Sequence, residues 1–105
     1  MPMRNGFCGV RNIVNDRGND TPNQFVIKTN RATYFQSYRS VVARIDHKSG
    51  KVTLSTYWDY SNTTRKHLYM FLREHGKGRL LKKDVLQRIK DKEFKLADTS
   101  SLPIN

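Results

Sequence analysis

At 105 residues the chain is long enough for one domain, near the lower end of the range that buries a self-sufficient core. Hydrophobic residues make up 36% and charged residues 28%, which excludes global disorder and predicts a small ordered core with loose ends. Twenty Lys and Arg against nine Asp and Glu give a formal charge of +11, which costs self-repulsion unless an anionic partner offsets it.

Residues 1–23 are dense in Asn, Gly, Asp and Pro, and Asn15 to Asn23 read NDRGNDTPN. Asx side chains bond their own backbone and Gly reaches positive φ, so this segment predicts a flexible N-terminal arm. A short apolar island, Phe7–Val10 with Ile13 and Val14, offers the one means of docking it on the core. The N-terminus lacks the apolar run of a signal peptide, and no window approaches the roughly 20 apolar residues of a membrane span. The single cysteine, Cys8, excludes an intrachain disulfide and fits a reducing, cytoplasmic setting with no membrane partner.

Gln24–Thr29 reads as a strand, Asn30-Arg31 as a turn and Ala32–Ser37 as a second extended run. In Arg39–Asp46, Val41, Ala43 and Ile45 alternate with Val42 and Arg44, the period of two that marks one buried face. His47-Lys48-Ser49-Gly50 is a four-residue turn, and Lys51–Trp58 is predicted as the returning strand of a hairpin, with Val52, Leu54 and Thr56 on one face. Ser61 then suits a helix N-cap. Thr64, Leu68, Phe71, Leu72 and His75 share one helical face, and Gly76 stops the helix. A second helix is predicted over Lys82–Lys92, burying Val85, Leu86 and Ile89, with a short closing strand at Lys92–Ala97. Residues 99–105 read as a mobile tail. The expected fold is therefore α+β: a small antiparallel sheet of about four strands with two C-terminal helices, in a single domain over residues 24–98.

The residues that carry chemistry are few. His47, His67, His75 and Cys8 are the whole soft-ligand inventory, and a zinc site needs three or four converging ligands, so no metal or cofactor is expected. A metal-dependent nuclease would have to hold Mg²⁺ between Asp46 and Asp59 on neighbouring strands. Both are better explained as a strand terminator and as support for the positive end of a helix. No phosphate-cradling glycine motif is present, and Ser61 with His67 lacks an orienting third group. No catalytic residue is assigned, and the chain reads as a non-enzyme.

The positive signal is cationic. From Asn62 to Lys95 there are eleven Lys and Arg against four Asp and Glu, so this third of the chain carries +7 of the +11. Lys66, Arg73 and Lys77 share one flank of the first helix, with Arg65 beside it. Arg79, Lys82, Lys83, Arg88 and Lys90 follow. Such a surface can track phosphates and release their counterions. Tyr69, with Tyr57 and Tyr60, adds base stacking if exposed. Trp58 reads as core, Tyr60 divides evenly between core and surface, and Arg31, Arg39 and Arg44 extend a basic sheet face.

The run F-Q-S-Y-x-S-V-V-A-R-I at Phe35–Ile45, G-K-V-T-L at Gly50–Leu54 and W-D-Y-S-x-T-T-x-K-H-L-x-x-F-L at Trp58–Leu72 resembles a family of small proteins carried by bacteriophages, plasmids and other mobile elements of bacteria. The resemblance spans Gln24 to Asp98 and implies a compact fold without catalytic residues or cofactor. It also implies the cytoplasm of a bacterial host cell and action against host defence, as anti-CRISPR proteins act. The expected partner is then a host CRISPR–Cas effector or another nucleoprotein, bound stoichiometrically by Arg65, Lys66, Tyr69, Arg73, Lys77, Arg79, Lys82, Lys83, Arg88 and Lys90. A phage DNA- or RNA-binding accessory protein is the alternative, and exposed hairpin edges leave a homodimer open.

Overall fold

The computed structural model describes residues 7–15 and 17–104. Period-two alternation in the first half of the chain produces an antiparallel meander: β1 (Phe7–Val14), β2 (Asp20–Thr29), β3 (Ala32–Ser37), β4 (Ser40–Asp46) and β5 (Val52–Leu54). A 3-10 turn at Thr56–Asp59 leads into α1 (Asn62–Glu74) and α2 (Lys82–Lys90), and β6 (Phe94–Leu96) closes the sheet beside β5. The strands lie in sequence order, with β1 and β6 at the edges, and β6 runs parallel to β5. A parallel neighbour needs a long crossover, which the two helices supply.

The sheet thus corrects the expected four antiparallel strands to six in a mixed sheet. One added strand comes from the segment read as a flexible arm. Ile13 is fully buried, and the polar stretch after it is a tight turn: Gly18 N–H donates to Asn15 O at 3.0 Å and Asn19 N–H to Asn15 Oδ1 at 3.0 Å. The Asx chemistry is there, but it closes the β1–β2 hairpin. Residues 1–6 and the side chains of Phe7 and Cys8 lie outside the description.

The predicted strand Lys51–Trp58 is also shorter than expected. Ser55 is buried and its Oγ accepts from Tyr57 N–H at 3.2 Å, which caps the 3-10 turn and ends β5 at Leu54. The vacated position beside β4 is taken by the C-terminal segment read as a mobile tail. Val41 N–H donates to Ser101 Oγ at 2.9 Å, and Leu102 N–H to Val41 O at 2.9 Å. Leu102 is buried against Ile27, Ala32, Tyr34 and Val41 on the sheet face away from the helices.

The main core lies between the helices and the other face. Val26, Phe35, Val42, Ala43, Val52 and Leu54 pack under Leu68, Phe71 and Leu72 of α1, with Trp58 and Phe94 completing the layer. Phe35 and Phe71 stack with ring centroids 5.7 Å apart. Burying side chains of this size contributes about 1.5–3 kcal/mol each. From α2 only Val85 is fully buried, while Leu86, predicted as core, is exposed and Ile89 is half-buried. The helix is two residues shorter than predicted and meets the core through Val85, with Ile89 packed at the margin.

Candidate functional site

The placement of the cationic residues follows from how α1 begins and what it buries. Ser61, in extended conformation, accepts from Thr64 N–H at 3.1 Å and starts the helix. Thr64, His67, Leu68, Phe71 and Leu72 then turn inward, which leaves Lys66 and Arg73 exposed and Arg65, Tyr69 and Met70 half-buried. The histidines make local bonds. His67 Nδ1 donates to Thr63 O at 2.8 Å, His75 Nδ1 to Phe71 O at 2.8 Å, and His47 Nε2 lies 2.7 Å from Thr33 Oγ1. Among the described residues no three His, Cys, Asp or Glu converge on one point.

Four of the nine predicted cations have structural duties. Arg65 donates to Asp59 O at 3.3 Å and to Asn62 Oδ1. Lys77 reaches back to Gly50 O at 2.7 Å and ties the end of α1 to the β4–β5 turn. Lys82 pairs with Asp59 at 3.4 Å. Arg88 pairs with Glu93 at 3.8 Å and lies over the Phe94 ring. Lys66, Arg73, Arg79, Lys83 and Lys90 are exposed and, among the described residues, hold no ion pair.

Three of the predicted residues come together in one groove. Tyr69, Met70, Arg73, Arg79, Leu80 and Leu81 line an open hollow of about 390 Å³ beside α1. No acidic residue lines it. Tyr69 is a wall here and not a free platform: its hydroxyl is buried without a hydrogen-bond partner among the described residues, and burial pushes its pKa up. On the other flank of Arg73 a hollow of about 370 Å³ contains Arg11 and Glu74, which pair with each other. Lys83, Arg88 and Lys90, on α2, line neither hollow.

Asp46 and Asp59 are not brought together. Asp46 N–H bonds Lys51 O ahead of β5, while Asp59 lies in the 3-10 turn beyond the other end of that strand. Each holds its own cation, Arg44 at 3.8 Å and Lys82 at 3.4 Å respectively.

A second cleft, of about 450 Å³, lies where the β3–β4 turn meets the 3-10 turn. Asn23, Ser37, Tyr38, Arg39, Tyr57 and Tyr60 are among the residues that line it. Residues three apart eclipse in a 3-10 helix, so Tyr57 and Tyr60 stack, with centroids 4.9 Å apart and planes 18° from parallel. Tyr38 escaped the sequence reading because it belongs to neither strand. The available signal was a tyrosine and an arginine in a two-residue hairpin turn, where side chains face solvent.

Fold and surface together define a small basic α+β domain on a six-stranded mixed sheet, with an acid-free groove on α1 and a tyrosine cleft at one end of the sheet. No helix among the described residues is long and apolar enough to cross a membrane. The chain belongs to a family of unknown function (DUF8033), whose pattern matches residues 8–88, from β1 into α2. The match includes most of β1, so the segment read as an arm is part of what the family shares. Searches of curated proteins and of solved structures return no match.

Proposed function

We propose that the protein binds nucleic acid or a nucleoprotein stoichiometrically through the outer flank of α1 and the segment joining it to α2, without covalent chemistry. The observation that carries this reading is the groove in which Arg73 and Arg79 stand on one wall system with no acidic residue among the lining. Lys66 and Lys83 add positive charge and, among the described residues, have no ion pairs of their own. Displacing counterions from a phosphate backbone is the favourable step such a surface offers, and affinity then falls steeply with salt. The test is a salt titration of binding to bare DNA and RNA. Arg73→Glu with Arg79→Glu is expected to weaken binding to every sequence alike and to flatten the log–log salt slope by about two. Unchanged affinity and slope would show that the contact surface lies elsewhere.

A second reading has its own support. Leu81 is 61% exposed between Arg79 and Lys82 in sequence, with Asp84 bonded to its backbone N–H. An exposed apolar side chain among charges of both signs suits a protein face better than a phosphate backbone. Inhibition of a host-defence ribonucleoprotein such as a CRISPR–Cas effector, with an origin on a phage or other mobile element, is the form that the sequence resemblance gives to this reading. Salt-resistant binding to a purified Cas protein, without affinity for bare nucleic acid and lost in Leu81→Asp, would select it.

A further inference from the structure

Resting on the nucleic-acid reading above, we infer that the tyrosine cleft is a stacking site for an unpaired base of a single-stranded nucleic acid, with Arg39 holding an adjoining phosphate. Three large aromatic side chains are left in solvent around one concavity: Tyr38 at 56%, Tyr57 at 40% and Tyr60 at 71% exposure. Tyr57 backs Tyr60 by stacking, so the outer face of Tyr60 is held flat and open, the geometry that accepts another planar ring. Arg39 is the one charged residue of the lining, exposed and without a carboxylate partner among the described residues. The hydroxyls of Ser37 and Thr64, 3.3 Å apart, supply a polar wall.

Two of the three described non-glycine residues with left-handed φ fall at this place, the third being Lys92 after α2. Tyr38 and Asn23 both have left-handed φ, 55° and 63°, and both line the cleft. For a residue as bulky as tyrosine that conformation is strained, and strain held by surrounding bonds concentrates at binding sites. Here the bonds are Tyr38 N–H to Asn23 O at 2.7 Å and Gln36 Nε2–H to Tyr38 O at 2.7 Å. They fix the tyrosine at the rim.

Continuity with the helical surface argues for a polymer. Asp59, between Tyr57 and Tyr60 in sequence, accepts from Arg65 through its carbonyl and pairs with Lys82 through its carboxylate. Arg65 and Tyr69 are one helical turn apart on α1, and Tyr69 lines the α1 groove. Aromatic and cationic groups thus lie on both sides of Asp59, whose carboxylate is paired with Lys82, between the cleft and the groove. Aromatic rings interleaved with cations suit a single strand with its bases turned out. Bases within a duplex present no free face to Tyr60.

The experiment compares binding of an oligothymidylate, a duplex of equal length and an abasic sugar-phosphate oligomer of equal charge. Wild-type protein is expected to prefer the oligothymidylate to the abasic oligomer. Tyr60→Ala should remove about tenfold of the oligothymidylate affinity and leave the abasic oligomer unaffected, while Arg39→Ala weakens both. Tyr60 is exposed, and an unchanged thermal melt verifies that the variant is folded. If Tyr60→Ala binds oligothymidylate as wild type does while Arg73→Glu is impaired, the cleft inference fails and the helical surface stands. If wild type binds none of the three, both fall. Photocrosslinking with 5-iodouracil oligomers gives an independent readout: adducts on Tyr38, Tyr57 or Tyr60 support the site, and adducts confined to the α1 groove overturn it.

Discussion

The segment from Tyr34 to Phe71 holds eight of the eleven aromatic residues, and it divides them into two populations. Tyr34, Phe35, Trp58 and Phe71 are at most 5% exposed, whereas Tyr38, Tyr57 and Tyr60 are at least 40% exposed. Position in the local structure separates them, not residue type. Tyr34 and Phe35 are consecutive strand residues and so fill opposite faces, the first under Leu102 and the second under Phe71. The 3-10 turn sends Trp58 into the core and its neighbours Tyr57 and Tyr60 out. One short stretch thus holds the fold with four of its rings and presents three, with Tyr69 half-buried between them.

The sharpest test of this division is a pair of truncations. Phe71→Ala removes a fully buried ring stacked on Phe35 and is expected to cost about 3–5 kcal/mol in urea unfolding. Tyr60→Ala should change stability by no more than about 0.5 kcal/mol. A comparable loss in both would make Tyr60 a structural ring and dissolve the distinction.

Much of the buried population was legible in the sequence. Ser61, Leu68, Phe71 and Leu72 take their expected places in α1. Val41, Ala43 and Ile45 are all buried, but a register shift between Phe35 and Gln36 breaks their single face. Val41 packs against Leu102, while Ala43 and Ile45 join Val42 in the core under the helices. What escaped depends on distant partners. β1 was hidden because its apolar island is short, and Ile13 earns burial only when a helix covers it. The tail was hidden because Ser101 and Leu102 dock on Val41, 60 residues from Ser101 in sequence, where β5 happens to stop early. The cationic flank was visible as charge, but Lys77 and Lys82 gave no sign that they would hold Gly50 and Asp59. Leu86 fitted a helical pattern and failed because α2 meets the core only through Val85 and Ile89.

The border between the two populations runs at Gln24, which pairs across the sheet with Ser37, a residue of the cleft wall. Gln24 is 1% exposed and neither side-chain polar atom has a hydrogen-bond partner among the described residues. An unsatisfied buried amide costs about 1–3 kcal/mol, so Gln24→Leu should raise stability by about 1–2 kcal/mol. A loss instead would mean that the amide is satisfied in solution, placing Gln24 with the polar wall of the cleft. Ser61→Ala probes the same border from the helix side. It removes the oxygen that accepts from Thr64 N–H, and about 1 kcal/mol of stability should go with it. Oligothymidylate affinity should follow only as far as the helix start frays.

The smallest expected effect concerns the opposite end of the sheet, where Arg31, Arg44 and Lys48 surround a hollow of about 540 Å³ that also contains Asp46. Lys48 N–H donates to Asp46 Oδ1 at 2.9 Å, and this bond, more than the nearby Arg44, holds the Asp46 carboxyl below its ordinary pKa. A pKa lowered by folding contributes stability that is complete above the unfolded value and is lost as pH falls through the folded one. The stability gap between wild type and Asp46→Asn should therefore narrow as melts are taken from neutral pH to below 3.8. The two ends of the sheet differ in this respect: cations around Asp46 have a carboxylate among them, whereas Arg39 in the tyrosine cleft has none. A gap that does not narrow would show the Asp46 carboxylate to be uncommitted. The cations at that end would then be as open to an external phosphate as Arg39 is, and the preference for the tyrosine end would rest on its rings alone.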